Sequence, residues 1–526
     1  MNRSSETPST RRRGLPWFPL LTILLGAGAI VYVRSLPEFE RNLKSWLTAG
    51  IPLLVVLLNI LWFLISRRFT WRTKLVGVVV LGALFFGAKQ LVKVDGTADG
   101  TGMPKLVWRW SKTNANLKGA VGEAKEAVTA STDPRLAQAA DVAQFFGPER
   151  NGVIQGAKLA RDWQATPPKE LWRQPIGEGW AAYAVVQGRA YTQEQRGEEE
   201  LVTCYDLFTG KLLWSHADKA RFSQWQSGDG PHATPTADAG KVYSYGATGL
   251  LTCLEAATGK KIWQRSVLEE NDLKNIEWGT SSSPLVVDNL VVVTGGRGPA
   301  PVLFAYRKET GEPAWKAGED EASYASPSLA VLAGKRVILS NNARALLVCD
   351  PATGKVLLDY AWGDSKWPKA SQPLVLDQDR VFLSAGYGMG CLMLKIEATS
   401  EGLLTATELW TGMKMKTQFN SPAELAGHAY GLDDGRLACV DLETGDRLWK
   451  EGRYASGQTL LVDDLLIVQS EGGAVHLAAA KPEGYEDLGK VEALSSKTWN
   501  HPTLAGRYLL VRNDREAVCY ELPVRE

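Results

Sequence analysis

Cys204–Trp214 reads CYDLFTGKLLW, and the chain returns to this pattern again and again. Cys253–Trp263 reads CLEAATGKKIW, and Cys439–Trp449 reads CVDLETGDRLW. Ala305–Trp315, AYRKETGEPAW, puts Ala in place of Cys; Cys349–Leu358, CDPATGKVLL, is one residue shorter and ends in Leu instead of Trp. Each unit is a short apolar strand, a polar turn, a Thr-Gly and a second strand that ends in a large apolar side chain. Glycine supplies the positive φ of a tight hairpin turn, and the flanking alternation is that of strands. The Thr-Gly glycines are Gly210, Gly259, Gly311, Gly354 and Gly445. Neighbouring units are 43 to 52 residues apart, and the doubled last gap masks one unit. An all-β period of that size predicts propeller blades.

The terminal strands set the blade count. Trp172, Trp214, Trp263, Trp315, Leu358, Trp410, Trp449 and Leu488 recur at intervals of 39 to 52 residues. The Trp410 unit, KIEATSEGLLTATELW, has a longer turn and no Thr-Gly. Beyond residue 490 only three strands remain, one short of a blade, while ELWRQPI at 170–176 has no blade of its own. The economical solution is eight four-stranded antiparallel blades, with the 170–176 strand completing the last one and leaving only protected edges. Pro235, Pro284, Pro327, Pro373, Pro422 and Pro502 each open an alternating strand, where proline removes no ladder N–H. YAVVQG and QTLLVD are the two blade starts without it.

Charge divides the 526 residues unevenly. Residues 1–93 hold 13 Lys and Arg against 3 Asp and Glu, a net of +10; the remainder holds 46 against 55, a net of −9. A basic N-terminus on an acidic body fits a membrane anchor and argues against nucleic-acid binding, which needs clustered positive charge. Leu15–Val33 and Ser45–Ser66 are uncharged runs long enough to span a bilayer, and Leu75–Val92 is marginal, so residues 1–93 carry two to three spans. Arg3 and Arg11–Arg13 precede the first run, and Arg67, Arg68, Arg72 and Lys74 follow the second. The positive-inside rule puts both basic groups in the cytoplasm, so three spans export everything after Lys93. A cleaved signal peptide at the first run is the alternative, although no A-x-A-like site follows it. Residues 94–140, with DGTADGTG at 95–102 and an Ala-rich, partly helical stretch at 119–140, read as a linker.

FFGPERNG at 145–152, ARDWQATPPKELWRQPIGEGW at 160–180 and the TG-x-x-x-W repeats resemble the pyrroloquinoline-quinone-like β-propeller repeat family over about residues 141–526. With a hydrophobic segment ahead of it, the chain resembles membrane-attached propellers similar to the propeller lipoprotein of the β-barrel assembly machinery. That resemblance implies that the proline-led strand is innermost and that the loops entering it crowd one mouth of the central channel. Those loops carry Trp180, Tyr183, His232, Trp278, Tyr324, Trp367, Phe419, Asn420, Tyr454, Trp499 and His501. So many aromatics suit either a recognition surface for a protein partner or a channel plug.

The same repeat serves quinoprotein dehydrogenases, for which the resemblance implies a vicinal disulfide, a Trp floor and a calcium ion beside a catalytic Asp. This chain has no adjacent cysteines, and Glu277, Asp364 and Asn420 show no calcium-ligand spacing. Cys204, Cys253, Cys349, Cys439 and Cys519 share one repeat position, too far apart around a ring to pair, and Cys391 lies elsewhere. The histidines His216, His232, His428, His476 and His501 form neither a zinc nor a triad pattern, and GGRGPAP at 295–301 lacks the helix of a phosphate cradle. We therefore expect no catalytic residue, no cofactor and no metal. The expected protein is an inner-membrane, multi-pass scaffold with its propeller on the extracytoplasmic side. The rival classes are a quinoprotein-like oxidoreductase and a ligand sensor that signals across the membrane.

Overall fold

The structure is a computed structural model describing residues 16–36, 38–111, 122, 133–298, 301–363 and 365–525. The basic tail at 3–13, most of the Ala-rich 119–140 stretch and Asp364 lie outside the described residues. Two compact units are present: residues 1–95 with 101–111, and residues 96–100 with 112–526.

In the first unit, α1 (Trp17–Ser35), α2 (Arg41–Ile65) and α3 (Trp71–Leu91) are each long and apolar enough to cross a membrane. Their large side chains point outward all round: Leu24, Val31, Leu57, Ile65, Leu84 and Phe85 are all more than half exposed. A helix that is apolar on every face and unburied suits a lipid environment. Gly26 lets α1 approach α2, since a Cβ there would stand 2.6 Å from Val55. Asn59 Nδ2 donates to Thr22 Oγ1 at 2.9 Å across the same pair. Val92–Thr97 and Pro104–Trp108 pair as a hairpin, so the start of the expected linker is ordered.

The second unit is the eight-bladed propeller. Blades 1 to 6 are four-stranded sheets taken in chain order, starting with Ala184–Val186, Thr236–Asp238, Leu285–Val287, Ser328–Leu332, Leu374–Leu376 and Ala423–Leu425. These first strands touch one another around the axis, which makes them innermost, and each proline-led strand begins on the residue after its proline. Blade 7 (Gln458–Val462 to Asp487–Glu492) gains a fifth strand, Val153–Ile154, parallel to its inner edge, which the sequence reading did not foresee. Blade 8 holds Thr503–Ala505, Tyr508–Arg512 and Glu516–Glu521, and Lys169–Pro175 completes it antiparallel to the last of these, as expected.

Buried polar groups reinforce this closure. Arg512, fully buried in blade 8, donates to Thr192 Oγ1 (2.9 Å) and Gln193 O (2.8 Å) in blade 1, and to Gly177 O (2.9 Å). Glu194, also buried, accepts from Tyr205 Oη at 2.7 Å and from Arg196 Nε at 3.2 Å. Nearby positive charges and these donors hold its carboxyl below the usual range, although burial pushes the other way.

Blades lock onto their neighbours through the repeat itself. Trp172, Trp214, Trp263, Trp315, Trp410 and Trp449 each donate Nε1 to a backbone carbonyl in the turn of the following blade, at 2.8–3.2 Å. Where that turn carries Thr-Gly, the indole lies on its glycine: a Cβ on Gly210, Gly311, Gly354 or Gly445 would stand 2.6–2.7 Å from the preceding blade's ring. Glycine is thus needed twice, for φ near +70° and for the close approach. Asp206, Asp350 and Asp441 tie down the same turn by accepting from the backbone N–H groups two and three residues on.

One assignment needs correction. Cys204, Cys253, Cys439 and Cys519 pair with a blade-end Trp, but in blade 4 it is Val348 that pairs with Leu358, while Cys349 pairs with Val356. The shorter turn moves Cys349 one residue along its strand, and strand alternation turns it toward the preceding blade. All six cysteines are free and buried. Burial pushes the Cys253 and Cys349 thiols up to about 12, so they act as small hydrophobes.

Candidate functional site: the aromatic mouth

The two ends of the axial channel differ. At the end where the inner strands finish, the 142–154 segment packs over the blades: Val142 bridges Val185, Ala143 O accepts from Ala237 N at 2.8 Å, and Gly152 O from Leu461 N at 2.9 Å. From it Arg150, 3% exposed, reaches into the axis. Its guanidinium donates to Ser283 O (3.2 Å), Pro327 O (2.8 Å), Thr236 Oγ1 (3.3 Å) and Pro284 O. FFGPERNG is therefore a channel plug whose arginine binds carbonyls at two inner-strand starts and the Thr236 hydroxyl at a third.

The inter-blade loops that enter the inner strands place the eleven sequence-selected residues in several groups. Trp180, Trp499 and Phe419 form one cluster, with ring centroids 4.8 Å apart for the two tryptophans and 5.3 Å for Phe419 and Trp499. Trp278 and Tyr324 form a second at 5.1 Å, in which Tyr324 Oη accepts from Trp278 N at 3.2 Å. Trp367, 47% exposed, stacks flat on Tyr387 at 5.5 Å. Tyr387 holds φ of +59°, an uncommon conformation for an aromatic. His232 meets Phe222 edge to face at 5.9 Å.

The remaining four lie deeper. Tyr183 and Tyr454 are buried in clusters between blades, Tyr454 Oη sharing a hydrogen bond with Tyr485 Oη at 2.8 Å. Asn420 is buried and donates to Leu432 O at 3.2 Å. His501 meets the stacked rings of Phe145 and Phe146 edge to face and lies within 3.0 Å of Thr459 O; burial lowers it to about 4, so it stays neutral. Aromatic content marked these loops, but it could not separate loop surface from inter-blade core, because both use the same side chains.

Polar residues that sequence reading passed over organise the first cluster. Glu471, 4% exposed in the blade 7 turn SEGG, accepts from Trp499 Nε1 at 2.7 Å and from Ser456 N at 3.2 Å. Lys497 places Nζ 4.0 Å from the Trp499 ring centroid and 5.2 Å from that of Trp180, both cation–π distances. Nothing in the local pattern marks a turn acid as buried; only the ring geometry brings it under Trp499. Among the described residues, no group of three or more His, Cys, Asp or Glu side chains is arranged to hold a metal ion.

Fold and repeat together define the class: an eight-bladed β-propeller similar to the pyrroloquinoline-quinone-like repeat family. Residues 198–451 match the family described as outer membrane protein assembly factor BamB. The chain is 23% identical over 376 residues to the outer membrane protein assembly factor BamB of Shewanella oneidensis, a match covering 66% of this chain and 86% of that one. Among solved structures, BamB from Moraxella catarrhalis superposes with a TM-score of 0.51 at 13% identity, over 68% of this chain and 100% of that one. The quinohemoprotein alcohol dehydrogenase from Comamonas testosteroni superposes with a TM-score of 0.55 at 12% identity, over 75% and 82%. At such identities the two superpositions speak for the fold alone.

Proposed function

We propose that this chain is a membrane-anchored scaffold whose propeller works on the extracytoplasmic side and binds a protein partner through the aromatic mouth, without catalysis. The observation that carries the reading is the mouth itself. Large rings from separate loops gather in groups along this rim, with Lys497 and the buried Glu471 in the first of them. Such a rim supplies contact area and hot spots rather than acids and bases. The relatives described as outer membrane assembly factors support a role in assembly at a membrane. The three apolar helices support anchoring in the inner membrane.

The residues here do not fit pyrroloquinoline quinone. The cysteines are isolated and buried in blade strands, the axis carries Arg150, and the rim aromatics pack on one another in small groups. The test is a photo-crosslinking side chain placed at Trp367 in intact cells, with one at Ile262, an exposed outer-strand residue, as control. The reading expects a discrete protein adduct from position 367 and none from 262. No adduct from the rim, or dye reduction by the protein supplied with quinone and calcium, would overturn it.

A further inference from the structure

Residues 96–100, GTADG, belong to the propeller's compact unit and lie in the aromatic mouth. Gly100 N donates to the buried Glu471 carboxylate at 2.5 Å, on the same Oε1 that accepts from Trp499 Nε1. Thr97, 2% exposed, donates Oγ1 to Gln226 O at 3.1 Å and accepts from Lys497 Nζ at 3.1 Å. Gly100 has no room for a side chain: a Cβ would collide with Ser456 Oγ and stand 3.0 Å from Phe419 Cε2. Glycine at 100 is therefore a matter of space, and Glu471 acts as a buried receptor for its amide. The contacts join the cluster to this stretch through Glu471 and Lys497, which lie 371 and 400 residues from Gly100 and Thr97 in sequence.

The geometry points to an autoinhibited mouth. We propose that residues 96–100 are a built-in occupant of the Trp180–Phe419–Trp499 cluster, so that a partner reaches it by displacing them with a segment of like chemistry. That segment is extended, uses small residues, and offers glycine with a free backbone N–H to Glu471. The inference rests on the reading of the mouth as a partner surface and adds how access to it is controlled. A site that recognises backbone through a buried carboxylate, in a slot that excludes a Cβ, discriminates by shape and by an amide N–H that adds to the donors Glu471 already has in Trp499 and Ser456.

The test uses the full chain in detergent and a fluorescein-labelled peptide of residues 94–102, VDGTADGTG. Gly100→Val should eject the segment, so the variant should bind the peptide at least about tenfold more tightly than the wild type does. Glu471→Ala in the Gly100→Val background should remove that binding. Hydrogen exchange on the wild type needs no variant: the 97–100 amides should be protected, and should exchange at least about tenfold faster in Gly100→Val. Unprotected 97–100 amides in the wild type, or equal peptide binding by wild type and Gly100→Val, would overturn the proposal. Partner crosslinking separates the two ideas. Equal crosslinking by wild type and Gly100→Val sinks the autoinhibition alone. Peptide binding confined to Gly100→Val, with no adduct from either protein, sinks the partner reading alone.

Discussion

Gly311 and Gly334 share a φ of +74°, yet a Cβ on Gly311 would press on the Trp263 indole at 2.7 Å while one on Gly334 would meet nothing within 4 Å. The pair separates backbone strain from packing. Gly334→Ala should cost about 1–2 kcal/mol for a left-handed alanine, and Gly311→Ala should add roughly 1–3 kcal/mol of overpacking. Urea unfolding of the two variants checks the difference, and equal losses would mean the indole yields freely. The blade-end tryptophans themselves are the other half of the contact. Trp214, 0% exposed, should lose about 3–5 kcal/mol on truncation to Ala. His501 gives a pH-dependent outcome. Its folded value of about 4 lies below the ordinary 6.5, so its contribution is complete above pH 6.5 and is lost as pH falls toward 4. Over that span the unfolded chain takes up a proton that the folded one refuses, a loss of roughly 3 kcal/mol by pH 4. Glu200 works in the opposite sense: burial raises it to about 7, so its contribution is present below the ordinary 4.5 and lost as pH rises through 7. The two slopes oppose each other between these values, so the informative measurement is the difference between wild type and His501→Gln. Wild type should lose more stability than the variant from pH 6.5 to 4.5, and parallel curves would place the imidazole in solvent.

At the scale of the element, the repeat works because each blade's last strand and the next blade's turn are made for each other, and their irregularities coincide. Leu358 replaces Trp in blade 4, and the following blade is the one with a long turn and no Thr-Gly. In blade 7 the Trp position falls on Gly489, one residue past the expected Leu488, because Leu477 pairs with Gly489 as Cys253 pairs with Trp263; blade 8 has no such turn, because its outer strand comes from residues 169–175. There the buried Trp163, from the segment leading to the closing strand, packs on Gly489 instead. Blade number, the closing strand and the proline-led inner strands were all legible in the sequence, because they follow from local period and turn chemistry. The fifth strand of blade 7, the Arg150 plug and the Trp163 filler were not, since each depends on where the N-terminal segment crosses finished blades. The same segment supplies the closing strand, so removing residues 141–176 should abolish folding of the propeller. The loss takes with it the partner of Glu516–Glu521, the guanidinium on the Pro327 and Ser283 carbonyls, and Trp163. Two sheet edges would be left open. A 177–526 fragment that stays monomeric and resists urea as well as 141–526 would refute this view of closure.

For the whole molecule, the decisive quantity in the proposed arrangement is the number of helices that cross a bilayer, because it would fix the side on which the propeller could meet a partner. The helices hold 19, 25 and 21 residues. At about 1.5 Å per residue these are roughly 28, 37 and 31 Å long, against a hydrocarbon core of about 30 Å. Length thus permits all three, including the third, whose 75–92 run the sequence left marginal. Lys89 falls in the last turn of α3, where a long side chain reaches the interface without unseating the helix. Arg67, Arg68, Arg72 and Lys74 cluster around the α2–α3 turn, and four basic residues with no acid among them favour the cytoplasmic side. With that turn inside, α3 delivers Val94 to the outside. A reporter fused after Val94 should therefore be active as a phosphatase, which needs export, and dark as a fluorescent protein that folds only in the cytoplasm. Neutralising Arg67, Arg68, Arg72 and Lys74 together should weaken this bias and lower phosphatase activity severalfold, whereas the same change at Arg34, Arg41 and Lys44 should not. A fluorescent, phosphatase-negative fusion would mean that an even number of helices spans. The propeller would then lie in the cytoplasm, beyond the reach of any partner on the export side, and the assembly role would fall with it.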